Sequence, residues 1–129
     1  MTRVARGRPL IALVLAAAGF GLALAYFLLT PLEYRLAPFK DQEYVARAER
    51  TEQAQALLAK YPDARRWVDR GAAVAVEFRV ERGDRYLRLR VIMDSFANRP
   101  LDTAVDCSGR VVREKVTEYL RTERCLDPT

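Results

Sequence analysis

Hydrophobic positions along this chain follow three successive patterns. Residues 10–29, LIALVLAAAGFGLALAYFLL, form an uncharged run. Next, Ala54, Leu57, Leu58 and Tyr61 fall at i, i+3, i+4 and i+7, one face of a helix. Thr51 followed by Glu52 has the form of a cap with an acid in the first turn, so this helix starts either there or at Asp41, and Pro62-Asp63 ends it. The period then drops to two. Val74, Val76, Phe78 and Val80 alternate with Ala75, Glu77, Arg79 and Glu81. After Gly83-Asp84, Leu87, Leu89, Val91 and Met93 alternate with Arg88, Arg90 and Ile92. This predicts a hairpin with one oily and one charged face, on which Glu77, Glu81, Arg79, Arg88 and Arg90 form cross-strand pairs.

Leu101, Thr103, Val105 and Cys107 continue as a further strand after the turn-rich residues 94–100, and Arg65 to Asp69, with Trp67, forms a short earlier one. Ser108-Gly109 breaks the pattern, and Val112, Val116, Tyr119 and Leu120 then predict a second amphipathic helix. The expected fold class is α+β: an N-terminal transmembrane helix, then a helix, a three- or four-stranded antiparallel meander and a helix, with the helices covering the oily sheet face.

The apolar run sets the organisation. Twenty residues at 1.5 Å each span about 30 Å, the thickness of a hydrocarbon core. A signal-peptide core is shorter. Ala23-Leu24-Ala25 does mimic a small-x-small cleavage site, but a cut there would leave Tyr26-Phe27-Leu28-Leu29 at a new N-terminus. The run is therefore read as a retained anchor over 9–30, preceded by a cytoplasmic tail, 1–8, and followed by a juxtamembrane linker, 31–45, between Pro31 and the domain at 46–127. Ala17-x-x-x-Gly21 has small-xxx-small spacing, and the simpler reading is an Ala/Gly-rich anchor without a helix partner.

Charge fixes the expected orientation. Of 22 basic residues, Arg3, Arg6 and Arg8 precede the run, leaving 19 against all 17 acidic ones. The positive-inside bias puts the N-terminus in the cytoplasm and the C-terminal domain outside, in a single-pass cell-membrane protein. With its charges nearly balanced and interspersed, the outer part has no nucleic-acid footprint.

Within 51–106 the order of elements and two turns resemble the PepSY-type domain, a small extracytoplasmic module. Tyr61-Pro62-Asp63-Ala64-Arg65 resembles that family's Pro-Gly-Ala turn, and Asp94-Ser95-Phe96-Ala97-Asn98-Arg99-Pro100-Leu101 its Asp-Ala-x-Thr-Gly-x-Val-Leu turn. Asp63 and Asn98 stand where the family has glycine, and both residue types tolerate left-handed backbone. The resemblance implies a domain without catalytic residues that binds or restrains partner proteins such as peptidases.

Candidate chemistry is sparse. The chain has no histidine, the commonest general base and metal ligand. Ser95, Ser108 and the tyrosines have no base partner in the sequence, so no catalytic residue and no cofactor are expected. Cys107 and Cys125 are the two cysteines. Outside the cytoplasm they are expected to form a disulfide closing a loop of about 18 residues, worth about 3 kcal/mol. A helix running away from Cys107 leaves little slack for this closure, and free or intermolecular thiols are the alternative. A metal site lacks both C-x-x-C and histidine. Asp94, Asp102 and Asp106 are read as solubilising groups that pair with Arg88 or Arg90, rather than as cation ligands.

Arg65, Arg66, Arg79, Arg82, Arg85, Arg88 and Arg90 form a cationic strip interleaved with acids, read as a salt-bridged sheet face. Trp67, Arg79, Arg88 and Arg90 mark the candidate interaction surface. The expected function is a non-enzymatic, membrane-anchored extracytoplasmic interaction module. Its partners are the lipid bilayer and another membrane or extracytoplasmic protein, as an accessory subunit or modulator. The alternative is an extracytoplasmic small-ligand or metal sensor.

Overall fold

The computed structural model describes residues 2–29 and 37–128, with side chains from residue 7 onward. The chain divides into two compact units, Met1–Arg35 and Leu36–Thr129.

Among the described residues the first unit holds helix α1 (Thr2–Leu29), which continues through Pro9 and so begins earlier than the expected 9–30. Its segment Gly7–Leu29 is long and apolar enough to cross a membrane. Leu10, Phe20 and Leu29 are among its exposed apolar side chains. Thr30, Pro31 and the rest of the expected linker as far as residue 36 lie outside the described residues.

The second unit opens with α2 (Asp41–Glu49) and α3 (Glu52–Lys60), so both helix starts legible in the sequence are used. One hydroxyl joins them: Thr51 Oγ1 donates to the Ala48 carbonyl at 2.7 Å and accepts from the Ala54 N–H at 3.1 Å, closing α2 and capping α3. Residues 41–45, assigned above to the linker, form the first turns of α2, and Tyr44 is fully buried.

Five strands follow: β1 (Arg65–Arg70), β2 (Val74–Arg82), β3 (Arg85–Asp94), β4 (Arg99–Cys107) and β5 (Arg110–Val112). Each lies antiparallel to the next, in the order β1-β2-β3-β4-β5. The sheet is thus one strand wider than the upper expectation. Gly83, at φ 64°, turns β2 into β3. The alternation Val74-Val76-Phe78-Val80 and Leu87-Leu89-Val91-Met93 forms one buried layer. Over it pack Tyr44 and Ala48 of α2, Ala54 and Leu57 of α3, and Val116 and Leu120 of α4 (Val116–Thr122).

Two expectations fail locally. Leu101 does not continue the oily alternation of β4. The register slips between Ile92 and Met93, so Leu101 is the extra residue of a β-bulge, 61% exposed. Val112 is not helical either. Ser108 (φ 47°) and Gly109 (φ 103°) make a two-residue left-handed reversal that sends the chain back as β5, with Val112 opposite Val105. Only Val116–Thr122 is then left for α4.

This reversal also removes the slack problem at the cysteines. Cys107 and Cys125 stand at disulfide distance, with Sγ atoms 2.07 Å and Cα atoms 5.7 Å apart. A short α4 after a hairpin returns the chain to the end of β4, where one long helix would have carried it away.

Candidate functional site

Strand register places the odd-numbered residues of β1 and β2 and the even-numbered residues of β3 and, from Asp102 on, of β4 on the sheet face away from the helices. Three long rows cross that open face, and Glu81 opposite Tyr86 adds a short fourth. Asp69, Ala75, Ile92 and Asp102 make the first. Trp67, Glu77, Arg90 and Ala104 make the second. Arg65, Arg79, Arg88, Asp106 and Val111 make the third. The four residues marked from sequence, Trp67, Arg79, Arg88 and Arg90, therefore share one face in two adjacent rows, with strands about 4.8 Å apart.

Glu77 organises this face. It is 4% exposed although no helix covers it. Arg90 Nη1 lies 2.9 Å from its Oε1, and Arg88 Nη1 lies 3.9 Å from its Oε2. Each arginine also reaches outward to a second acid: Arg90 to Asp69 at 3.4 Å and Arg88 to Asp106 at 3.4 Å. A chain of alternating charge therefore runs Asp69–Arg90–Glu77–Arg88–Asp106. This network is the part of the expected salt-bridged sheet face that lies around Arg88 and Arg90.

Aromatic rings flank it. The Arg79 guanidinium lies 4.4 Å from the Tyr86 ring centroid, and that of Arg65 lies 5.5 Å from the Trp67 centroid. Tyr86 Oη donates to Asp106 Oδ2 at 2.9 Å. That bond to an anion, which the deprotonated phenol would lose, is the main cause holding the Tyr86 hydroxyl above its usual range.

The acids considered as cation ligands accept separate local N–H groups, Asp94 and Asp106 at turns and Asp102 within β4. Asp94 Oδ1 accepts the N–H groups of Phe96 and Ala97, Asp102 Oδ1 that of Thr103, and Asp106 Oδ1 that of Gly109. Among the described residues, no three His, Cys, Asp or Glu side chains gather as a metal site would require. In the Asp94 turn, Asn98 takes left-handed backbone at φ 48°, as expected where glycine would be easiest. Asn98 Nδ2 donates to the Glu43 carbonyl at 3.2 Å, and Tyr44 Oη to the Ser95 carbonyl at 2.6 Å, which tie this turn to α2.

Two clamps escaped the sequence reading. Arg70 points to the helix-covered side, with its side chain 7% exposed. It donates to the carbonyls of Ala37 (3.1 Å) and Phe39 (2.7 Å) and to Asp41 Oδ1 (2.9 Å), so it fixes the stretch leading into α2. Its signal was its parity: an arginine two residues after Val68, on the oily side of a strand, needs acceptors.

The second clamp is Glu123, buried beyond α4. Its carboxylate accepts from Lys60 Nζ (2.7 Å), Tyr61 Oη (3.0 Å) and the Cys125 N–H (2.7 Å). Nothing in the spacing around Glu123 marked it. Burial, then the bond to Glu123, pushes the Tyr61 hydroxyl up to about 12.

Comparison with protein-family models, with curated proteins and with solved structures returns no match for this chain.

Proposed function

We propose that this chain is a membrane-tethered interaction module without enzymatic chemistry. In this reading α1 spans the cytoplasmic membrane with its N-terminus inside, and the α+β unit lies outside, where it docks another membrane or extracytoplasmic protein. The observation that carries the docking role is the open sheet face. No described element covers it, Arg88 and Arg90 at its centre are paired with the nearly buried Glu77, and Trp67 and Tyr86 lie beside them. A pre-ordered mixed-charge surface with aromatic residues is suited to recognition by complementary charge, because little side-chain freedom is left to lose on binding.

The tether is supported by the length and apolar character of Gly7–Leu29 and by the arginines before it. The outer location is supported by the cystine-competent pair Cys107 and Cys125. Confinement beside other membrane proteins raises the effective concentration of the unit for such partners. On a PepSY-like reading of residues 51–106, the partner is a protein that the module binds or restrains.

Proximity labelling from the C-terminal unit in its native membrane, followed by mild detergent extraction, tests the proposal. A partner recovered in fixed ratio, and lost with Arg88→Glu and Arg90→Glu together, is the expected result. Recovery of a lone chain, or a C-terminal reporter active only in the cytosol, overturns it.

A further inference from the structure

We infer that β1 pairs antiparallel with β1 of a second copy of this chain, about a two-fold axis at Trp67, so that two five-stranded sheets join into one. This goes beyond the docking role above and holds on either side of the membrane.

β1 is an edge strand. Among the described residues its one neighbour in the sheet is β2, and its register against β2 is unbroken from Arg65 to Arg70. On the open face it presents Arg65, Trp67 and Asp69, a cation and an anion placed symmetrically about an aromatic ring. Opposite residues of an antiparallel pair point to the same face, and an isologous pair sets each contact twice. An axis at Trp67 therefore puts Arg65 of each copy against Asp69 of the other and the two Trp67 rings together. On the other face, Arg66 meets Val68.

Other registers lose this match. An axis between Trp67 and Val68 pairs Trp67 with Val68 and turns the second copy's helices to the opposite side of the joined sheet. An axis at Val68 sets Arg66 against Arg70. An axis at Arg66 leaves Asp69 beyond the end of the partner strand.

Two further observations favour a second copy as occupant. Among the described residues, Arg65 is the one open-face arginine of β1 to β3 with no carboxylate at ion-pair distance, whereas Arg79, Arg88 and Arg90 each have one. The second copy's Asp69, whose side chain is 42% exposed, supplies it.

The helix layer also ends at this edge. Gln42, Val45, Ala46 and Glu49 follow i, i+3, i+4, i+7 on α2 and line a groove of about 470 Å³ beside β1. The two-fold lays this stripe beside its copy, so both layers continue across the axis.

The test uses the full chain in detergent micelles, measured by mass photometry and by fluorescence of Trp67, the chain's one tryptophan. The wild type should be dimeric, with emission moving to the blue as concentration rises. Arg65→Glu should weaken association about tenfold or more, since both ion pairs become repulsions. Arg65→Glu with Asp69→Arg should restore it. If that double variant fails to melt cooperatively, Trp67→Asp decides in its place, because two like charges at the axis should abolish the dimer. A wild type that stays monomeric, a dimer indifferent to Arg65→Glu or Trp67→Asp, or a well-folded double variant that does not re-associate overturns the inference.

Discussion

The two faces of the sheet are built from the same strands, yet they are held by different physics. On the helix side, Phe78, Leu87, Leu89 and Val91 are fully buried under a layer of other elements. On the open side, Ala75 is fully buried and Glu77 nearly so with no described helix above them. Beside Glu77 stand the Arg88 and Arg90 guanidinium groups, carried by the neighbouring strand. Burial on the helix side is non-directional and large per residue. The ion pairs opposite are each worth little but fix where every charge stands. A sheet can thus be stabilised from one side while the other carries a defined pattern of charge.

Substitutions should separate the two faces by size of effect. Phe78→Ala removes a fully buried ring and should cost about 3–5 kcal/mol, seen as a large fall in melting temperature. Opening the Cys107–Cys125 link by Cys107→Ser should cost about 3 kcal/mol through the freed 18-residue loop, measured by urea unfolding. Glu77→Ala should cost about 1–2 kcal/mol, because Arg88 and Arg90 lose their shared acid but remain about one-third exposed to water. Arg79→Ala should change stability by less than about 1 kcal/mol. A larger loss at Arg79 than at Phe78 would overturn the division between the faces.

Tyrosine titration sharpens the same comparison. Tyr44 and Tyr61 are raised first by burial, whereas Tyr86 is raised first by its bond to Asp106. Asp106→Asn should therefore bring Tyr86 back toward its usual value and leave Tyr61 near 12, read by tyrosinate absorbance. Because the folded value of Tyr61 lies above the unfolded 10.0, its contribution to stability is complete below pH 10 and lost between pH 10 and about 12. Tyr61→Phe should flatten the stability profile across that window.

The period-two pattern made β2 and β3 legible, with their oily and charged sides, because a half-buried strand must alternate. It also put Arg79, Arg88 and Arg90 on one charged face, since alternate residues of a strand share a side, whereas Trp67 is set on that face by the register of β1 on β2. The turn at Thr51 was legible from its cap chemistry, although the local pattern could not say that a second helix preceded it. β5 was hidden because three residues carry too little alternation to register, and Ser108-Gly109 signals a stop as readily as a reversal. Leu101 misled because a bulge leaves hydrophobicity unchanged while displacing the side chain. The clamps of Arg70 and Glu123 join segments far apart in the chain, and such pairings have no local signature.

The bulge at Leu101 has a consequence for growth. It sits beside Pro100, which has no N–H to offer, on the stretch of β4 that β5 does not cover. That border of the sheet is a poor template for another chain, so strand addition is confined to the opposite border. Once that border is used, nothing propagates. The molecule can acquire one neighbour by strand pairing without seeding a fibril.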